Sequence, residues 1–192
     1  MAIFLLMCIS SYCRPSEMTS LTSGGLQPPC KGVSQYWCLL LFPEAGTARS
    51  KTGLADVSIA MDTEYLQCLN PFFPLLREQA GANGVVWHFQ YPSYLSEFKA
   101  AVKELGITEY VIPYQSRHSG PSIDVARRLR TLAEVQRRGQ WKAQKSVLRY
   151  EKEARLTESW NHLPLHTRVL LEACESHLED VLYNRRHGLA LL

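Results

Sequence analysis

Residues 134–156 read EVQRRGQWKAQKSVLRYEKEARL. With the residues just before them they belong to a basic segment, 127–149, that holds eight Lys or Arg and a single acid, Glu134. The chain carries 21 basic and 18 acidic side chains, so the remainder is slightly acidic. A net charge of +3 does not by itself point to nucleic acid; the position of the charge does. Near its C-terminal end the segment passes a lone Trp141, and it stops just short of Tyr150. A basic run is either a solvated helix face or a surface for a polyanion. Charge alone favours the solvated face.

Working outward, 192 residues suffice for one domain with a real core, or for one domain and an appendage. A hydrophobic share of 46% and a charged share of 20% place the chain among ordinary globular proteins. Its six cysteines, Cys8, Cys13, Cys30, Cys38, Cys68 and Cys174, include no pair with the two-residue spacing of a zinc knuckle or redox motif. A chain of this size needs no disulfide staples, so they read as reduced thiols of an intracellular protein. The apolar run from Ala2 to Ile9 is far shorter than the ~20 residues that span a bilayer. No basic residue precedes it, so it reads as a buried helix and not as a leader. Its abrupt beginning suggests a chain cut from something longer.

The predicted elements follow from periodicity and punctuation. Residues 2–13 read as the buried helix, closed by Arg14 and Pro15, with a second short helix in RPSEMTSL (14–21). SGGLQPP (23–29) reads as a turn or short edge segment. QYWCLLLF (35–42) and the alternating ADVSIAM (55–61) read as two strands, joined by a hairpin loop with Lys51 near its tip. The rest reads as helix: 62–79, bent at Pro71 and Pro74; PSYLSEFKAAVKELG (92–106); SIDVARRLR (122–130); LAEVQRR (132–138); KSVLRYEKEARL (145–156); and an amphipathic tail over 164–186. The expected class is mostly α with a small antiparallel β-sheet near the N-terminus (α+β).

Taken singly, the polar residues near these turns and helix ends are unremarkable. Arg14 is a surface arginine, Lys51 a loop lysine, Trp141 a core residue and Tyr150 a packed helix tyrosine. Taken in order they form a pattern: RPSE after an apolar helix, a lysine in a β-hairpin, PYQSRHSG opening a helix, and GQW nine residues before a tyrosine. This order resembles the catalytic domain of the tyrosine recombinases, the phage-integrase-like enzymes that break and rejoin DNA. The likeness covers residues 1–157, most specifically 113–152. By that resemblance Arg14 and Arg117 are the two arginines, Lys51 the hairpin lysine, Tyr114 occupies the place of the box histidine, Trp141 the His/Trp position and Tyr150 the nucleophile. Tyr114 departs from the pattern, since a phenol with a pKa near 10 is a poor base at neutral pH.

The resemblance implies an integrase-like core, with residues 158–192 as a C-terminal helical tail and the family's N-terminal DNA-clamping domain absent. It implies strand breakage and rejoining through a 3′-phosphotyrosyl intermediate, in recombination or integration of mobile-element origin. Such a phosphoryl transfer depends on positioning and on stabilising charge at the non-bridging oxygens. Two guanidinium forks and the Trp141 N–H suit those oxygens, and Lys51 suits protonation of the departing 5′ oxygen. No cofactor and no metal are expected. The partner is double-stranded DNA, with Arg127, Arg128, Arg137, Arg138, Lys142, Lys145 and Arg149 as phosphate contacts and self-association on the DNA. No membrane role is expected; the location is intracellular, nuclear in a eukaryote. The competing expectation is a DNA-binding remnant that has lost cutting, and a weaker one is an unrelated helical protein.

Overall fold

The computed structural model of the protein describes residues 1–41, 57–107, 110–151 and 153–183. It is mostly helical with one small antiparallel sheet near the N-terminus, an α+β arrangement. Lys51 and the loop around it lie outside the described residues.

Helix α1 (Ala2–Ser11) has neither an acid in its first turn nor a base in its last, and it is apolar on nearly every side. A helix hydrophobic all round is a buried helix. Phe4, Met7 and Cys8 are fully buried, and Phe4 meets Trp87, Phe89 and Tyr94 edge-on at 4.6–5.2 Å between ring centroids. Tyr12 closes the helix in the left-handed conformation at φ 58°. Pro15 then opens the four-residue α2 (Pro15–Met18), where its missing N–H costs nothing.

The sheet runs β1 (Leu26–Gln27), β2 (Cys38–Leu41) and β3 (Val57–Ala60), antiparallel and in chain order. Leu26 pairs with Leu39, Leu39 with Ile59 and Leu41 with Val57. These five side chains are buried, so alternation puts one apolar face of the sheet into the core. A 3₁₀ turn (Glu64–Leu69) follows, then α3 (Phe72–Ala80) and α4 (Tyr91–Glu104). Pro71, the N-cap of α3, separates those first two pieces, and Pro74 sits in the first turn of α3, where proline is tolerated.

Helix α5 (Ser116–Ala126) continues from a 3₁₀ turn (Pro113–Gln115) and crosses α1 closely. Gly120 is the reason it can. A Cβ there would run into the Ile9 carbonyl oxygen and stand 2.8 Å from the Tyr12 ring. Helix α6 (Leu132–Arg138) starts with a capping box: Thr131 Oγ1 accepts from the Glu134 N–H at 3.3 Å, and the Glu134 carboxylate accepts from the Thr131 N–H at 2.7 Å. The one acid of the basic segment is therefore spent on a helix start.

The helix expected over 145–156 is not continuous. It divides into 3₁₀ turns at Gln144–Ser146 and Leu148–Glu151 and then α7 (Glu153–His162). Val147 and Tyr150 turn inward onto Tyr12 and Val135 as a second, smaller core. Packing those two side chains inward overrides helical propensity. Helix α7 also runs across the boundary between 157 and 158, where the tail was expected to begin. The tail is α8 (Leu165–Ser176) and α9 (Leu178–Leu182), divided at His177. Leu178 and Leu182 pack on the main core, and Tyr183 stacks on Phe72 at 5.3 Å. Leu165, Val169 and Val181 stay exposed. All six cysteines are free, and no helix among the described residues is long and apolar enough to cross a membrane.

The α1–α5 crossing gives a direct test. Gly120→Ala should destabilise the protein by about 3 kcal/mol, the upper part of the range for overpacking, because the obstacle is backbone and cannot rotate away. Urea unfolding of the variant against the parent measures it; an unchanged midpoint would mean that the two helices are not in contact there.

Candidate functional site

The site forms where α1, α2, α5 and the turns after α6 converge. Arg14 is the N-cap of α2; its N–H donates to the Glu17 carboxylate at 2.8 Å, and its guanidinium forms an ion pair with the same group. The other partner of Glu17 is Arg117, with Nη1 at 3.5 Å. One carboxylate thus bridges two cations that would repel each other alone.

Arg117, in the first turn of α5, is 4% exposed. Its Nη1 donates to the Tyr12 carbonyl at 2.6 Å and its Nη2 to the Gly139 carbonyl at 2.7 Å, while Nε has no partner among the described residues. Its guanidinium carbon sits 4.9 Å above the Trp141 ring centre. Burial, and then the nearby Arg14, lower its pKa from the usual arginine value. Arg117 therefore pins the end of α1, the end of α6 and Trp141 to one another.

Trp141 reaches this position through a tight reversal. Gln140 adopts a left-handed conformation at φ 55°, and the indole folds back so closely on Gly139 that no Cβ fits there. Tyr150 lies beyond, its ring 5.4 Å from Trp141. It is 2% exposed, and its hydroxyl stands 2.7 Å from Nδ1 of His118. Burial pushes the Tyr150 phenol up to about 12, against the lowering effects of Arg149 and Arg117. Tyr114 is 40% exposed at the outer edge, its ring against His118 at 5.3 Å, and close enough to Arg14 to act on its charge.

Five of the six residues expected in a catalytic set, Arg14, Tyr114, Arg117, Trp141 and Tyr150, thus stand in one cluster; the sixth, Lys51, is outside the described residues. Two further members were not in that set. Glu17 is the bridge, and its signal in the sequence was its place three residues after Arg14, the spacing of a capping box. His118 is the second. It lies four residues after Tyr114, so both fall on the same helical face, with the imidazole one turn further in. Burial, and then Arg149, Arg117 and Arg14, hold its pKa below the ordinary 6.5, so it is neutral at physiological pH.

The basic segment divides in two. Arg127, Arg128, Arg137, Lys142, Lys145 and Arg149 are exposed, Arg127 in an ion pair with Glu175. Arg138, expected among the phosphate contacts, is turned inward. Its Nε and Nη2 donate to the Ser10 carbonyl at 2.9 and 2.8 Å, Nη2 also to the Ala60 carbonyl, and Nη1 pairs with Asp62 at 3.0 Å. Those donors are spent inside the fold and leave nothing for a phosphate. Arg130 does the same between Asp62 and Asp124, at 2.7 and 2.9 Å. Asp124, 1% exposed, also accepts from the hydroxyls of Tyr12 and Tyr65.

Among the described residues no three His, Cys, Asp or Glu side chains converge in a way that could hold a metal ion. No protein-family model matches the chain, and no curated protein matches it.

The lowered His118 pKa sets a pH dependence. The unfolded chain takes up the His118 proton near pH 6.5, whereas the folded site resists it to a lower pH. Between those two values the unfolded state binds more protons, so stability falls as pH drops below 6.5 and then levels off. Urea unfolding at pH about 7.5 and about 5 should show a smaller acid loss in His118→Gln than in the parent. An identical loss in both would place His118 in solvent.

Proposed function

We propose that the chain is a DNA breaking–rejoining domain of the tyrosine recombinase type, with Tyr150 as the nucleophile and double-stranded DNA as substrate. The observation that carries this reading is the Tyr150 hydroxyl beside the His118 imidazole, in the same cluster as Arg117 and Trp141, with Arg14 joined to Arg117 through Glu17. A tyrosine placed against a neutral base and two guanidinium groups is the arrangement that attack on a phosphodiester needs.

In this reading Tyr150 attacks phosphorus, the bond to the 5′ oxygen breaks, and a 3′-phosphotyrosyl bond keeps the energy for rejoining. Arg14 and the Trp141 N–H face the non-bridging oxygens. Lys51 gives the departing 5′ oxygen its proton. Arg117 supplies charge from beneath the site, since both its terminal nitrogens already hold carbonyls. Tyr150 reaches the phosphate when the short 3₁₀ turn carrying it swings outward, an opening that the poor hydrogen-bond geometry of such turns makes inexpensive. The exposed Arg128, Arg137, Lys142, Lys145 and Arg149 hold the backbone of the duplex. Self-association on DNA and a role in mobile-element recombination belong to the same reading.

A second reading has its own support. Tyr150 is part of a small core with Tyr12, Val135 and Val147, and Arg117 is spent on structure. A DNA-binding protein that keeps the fold without cutting has the same features.

A nicked suicide substrate separates the two. Its short 5′-hydroxyl fragment diffuses away and traps the covalent adduct. The parent chain should form an adduct on the 3′ side, and Tyr150→Phe should form none while keeping its fold and DNA affinity. No adduct from the parent with any duplex would leave the binding protein. Both readings require phosphate contacts. Log affinity should therefore fall linearly with log salt, and Lys142→Ala with Lys145→Ala should flatten the slope by about 2, roughly one per lost contact. An unchanged slope would remove those two lysines from the DNA surface.

A further inference from the structure

We propose that His118 accepts the phenolic proton of Tyr150 when the nucleophile attacks, filling the role left open by a tyrosine at position 114. This rests on the recombinase reading of the same site. Three observations carry it. The first is distance: His118 Nδ1 is 2.7 Å from the Tyr150 hydroxyl oxygen, the one side-chain hydrogen bond of that hydroxyl among the described residues. With the ring proton on Nε2, the hydroxyl donates and Nδ1 accepts, which is the geometry that precedes transfer. The second is orientation. His118 is held between the Tyr114 ring edge at 5.3 Å and the Trp141 ring at 6.5 Å. The imidazole is thus fixed in the direction of Tyr150. The third is the alternative. Tyr114 is exposed, and a neutral phenol is by its chemistry a far weaker base than a neutral imidazole.

The groups that face this pair are Arg149 beside Tyr150, Arg117 from the same helix, Arg14 from α2 and the phenol of Tyr114. The three cations oppose protonation of the imidazole while the site is empty. A bound phosphodiester brings the negative charge that offsets them, so the base gains its proton only with substrate in place. The balance is complete. The proton leaves the Tyr150 oxygen for His118 Nδ1 as the oxygen–phosphorus bond forms, and the 5′ oxygen leaves with a proton from Lys51. In rejoining, the 5′ hydroxyl attacks and returns its proton to Lys51. The Tyr150 oxygen departs and takes its proton back from His118.

Single-turnover linkage to the nicked substrate tests this. Glutamine at position 118 can still accept a hydrogen bond but cannot take a proton. His118→Gln should therefore slow linkage by about 10²–10⁴-fold, the usual contribution of a general base, with DNA affinity and circular dichroism unchanged. The parent rate should fall on the acid side with a single ionisation, and that limb should vanish in the variant. A 5′-bridging sulfur substrate, whose leaving group needs no proton, should not restore His118→Gln, which separates this role from that of a leaving-group acid. Tyr114→Phe should lose less rate than His118→Gln. Linkage by His118→Gln within about threefold of the parent, or a retained acid limb, would overturn the assignment while leaving the recombinase reading intact. An unfolded His118→Gln would move the decision to the parent's pH profile, where a flat acid side overturns it. No adduct from the parent at all, with Tyr150→Phe equally silent, would overturn the recombinase reading and this one with it.

Discussion

The close crossing of α1 and α5 at Gly120 is the constraint on which the rest of the molecule depends. Two helices can approach to backbone contact only where one lacks a Cβ, and Gly120 meets the Ile9 carbonyl and the Tyr12 ring there. The approach brings the carbonyl of Tyr12 within 2.6 Å of Arg117, one turn earlier on α5. It also brings the Tyr12 hydroxyl to Asp124, one turn later. A single small residue therefore sets the position of a buried cation on one side and a buried anion on the other. From Arg117 the connection runs to Gly139 and Trp141, and from Asp124 to Arg130 and Asp62. The candidate site is the exposed end of a network that is otherwise structural.

The network explains how a chain with a modest net charge can bury Arg117 and turn Arg130 and Arg138 inward. Arg130 and Arg138 bond to carbonyls or carboxylates through all three nitrogens or most of them, and Arg117 through both terminal nitrogens, so desolvation is offset by several charge-assisted bonds at once. The basic segment is thus two populations with the same composition. One holds the fold together, and the other faces solvent with no comparable set of internal partners. Only the second can serve a polyanion, which makes the surface charge smaller than a count of lysines and arginines suggests.

Tyr150 belongs to two structures at once. Its ring fills a small core with Val135 and Val147, and its hydroxyl points the other way, into the polar cluster. That is what an amphipathic aromatic side chain does when one end is dry and the other is hydrogen-bonded. The same burial raises the phenol's pKa and lowers that of the imidazole beside it, so both are neutral near pH 7. In the proposed mechanism the phenol of this neutral pair passes its proton to the imidazole once an anion offsets Arg14, Arg117 and Arg149.

Much of the architecture was legible in the sequence. The all-round apolar pattern of α1, the alternation in β3 and the proline breaks around Asn70 are local signals, and local signals act over a few residues whatever surrounds them. The split of 145–156 into 3₁₀ turns was not legible, because it comes from Val147 and Tyr150 packing onto Tyr12, more than a hundred residues away in the chain. Arg138 looked like its exposed neighbours for the same reason: whether an arginine faces water or a carboxylate depends on what lies opposite, and Ser10, Ala60 and Asp62 lie opposite it only once α1 and β3 are folded against α6. The clustering of Arg14, Arg117, Trp141 and Tyr150 could be anticipated by their order, but their hydrogen-bond partners could not. By itself the sequence determined the all-round apolar first helix, the strands β2 and β3 and the mostly helical remainder, and which residue types are available for chemistry. The tertiary structure alone decided that His118 meets Tyr150, since that contact exists only where α5 and the 3₁₀ turn at Leu148–Glu151 converge, and no spacing within either segment encodes the distance between them.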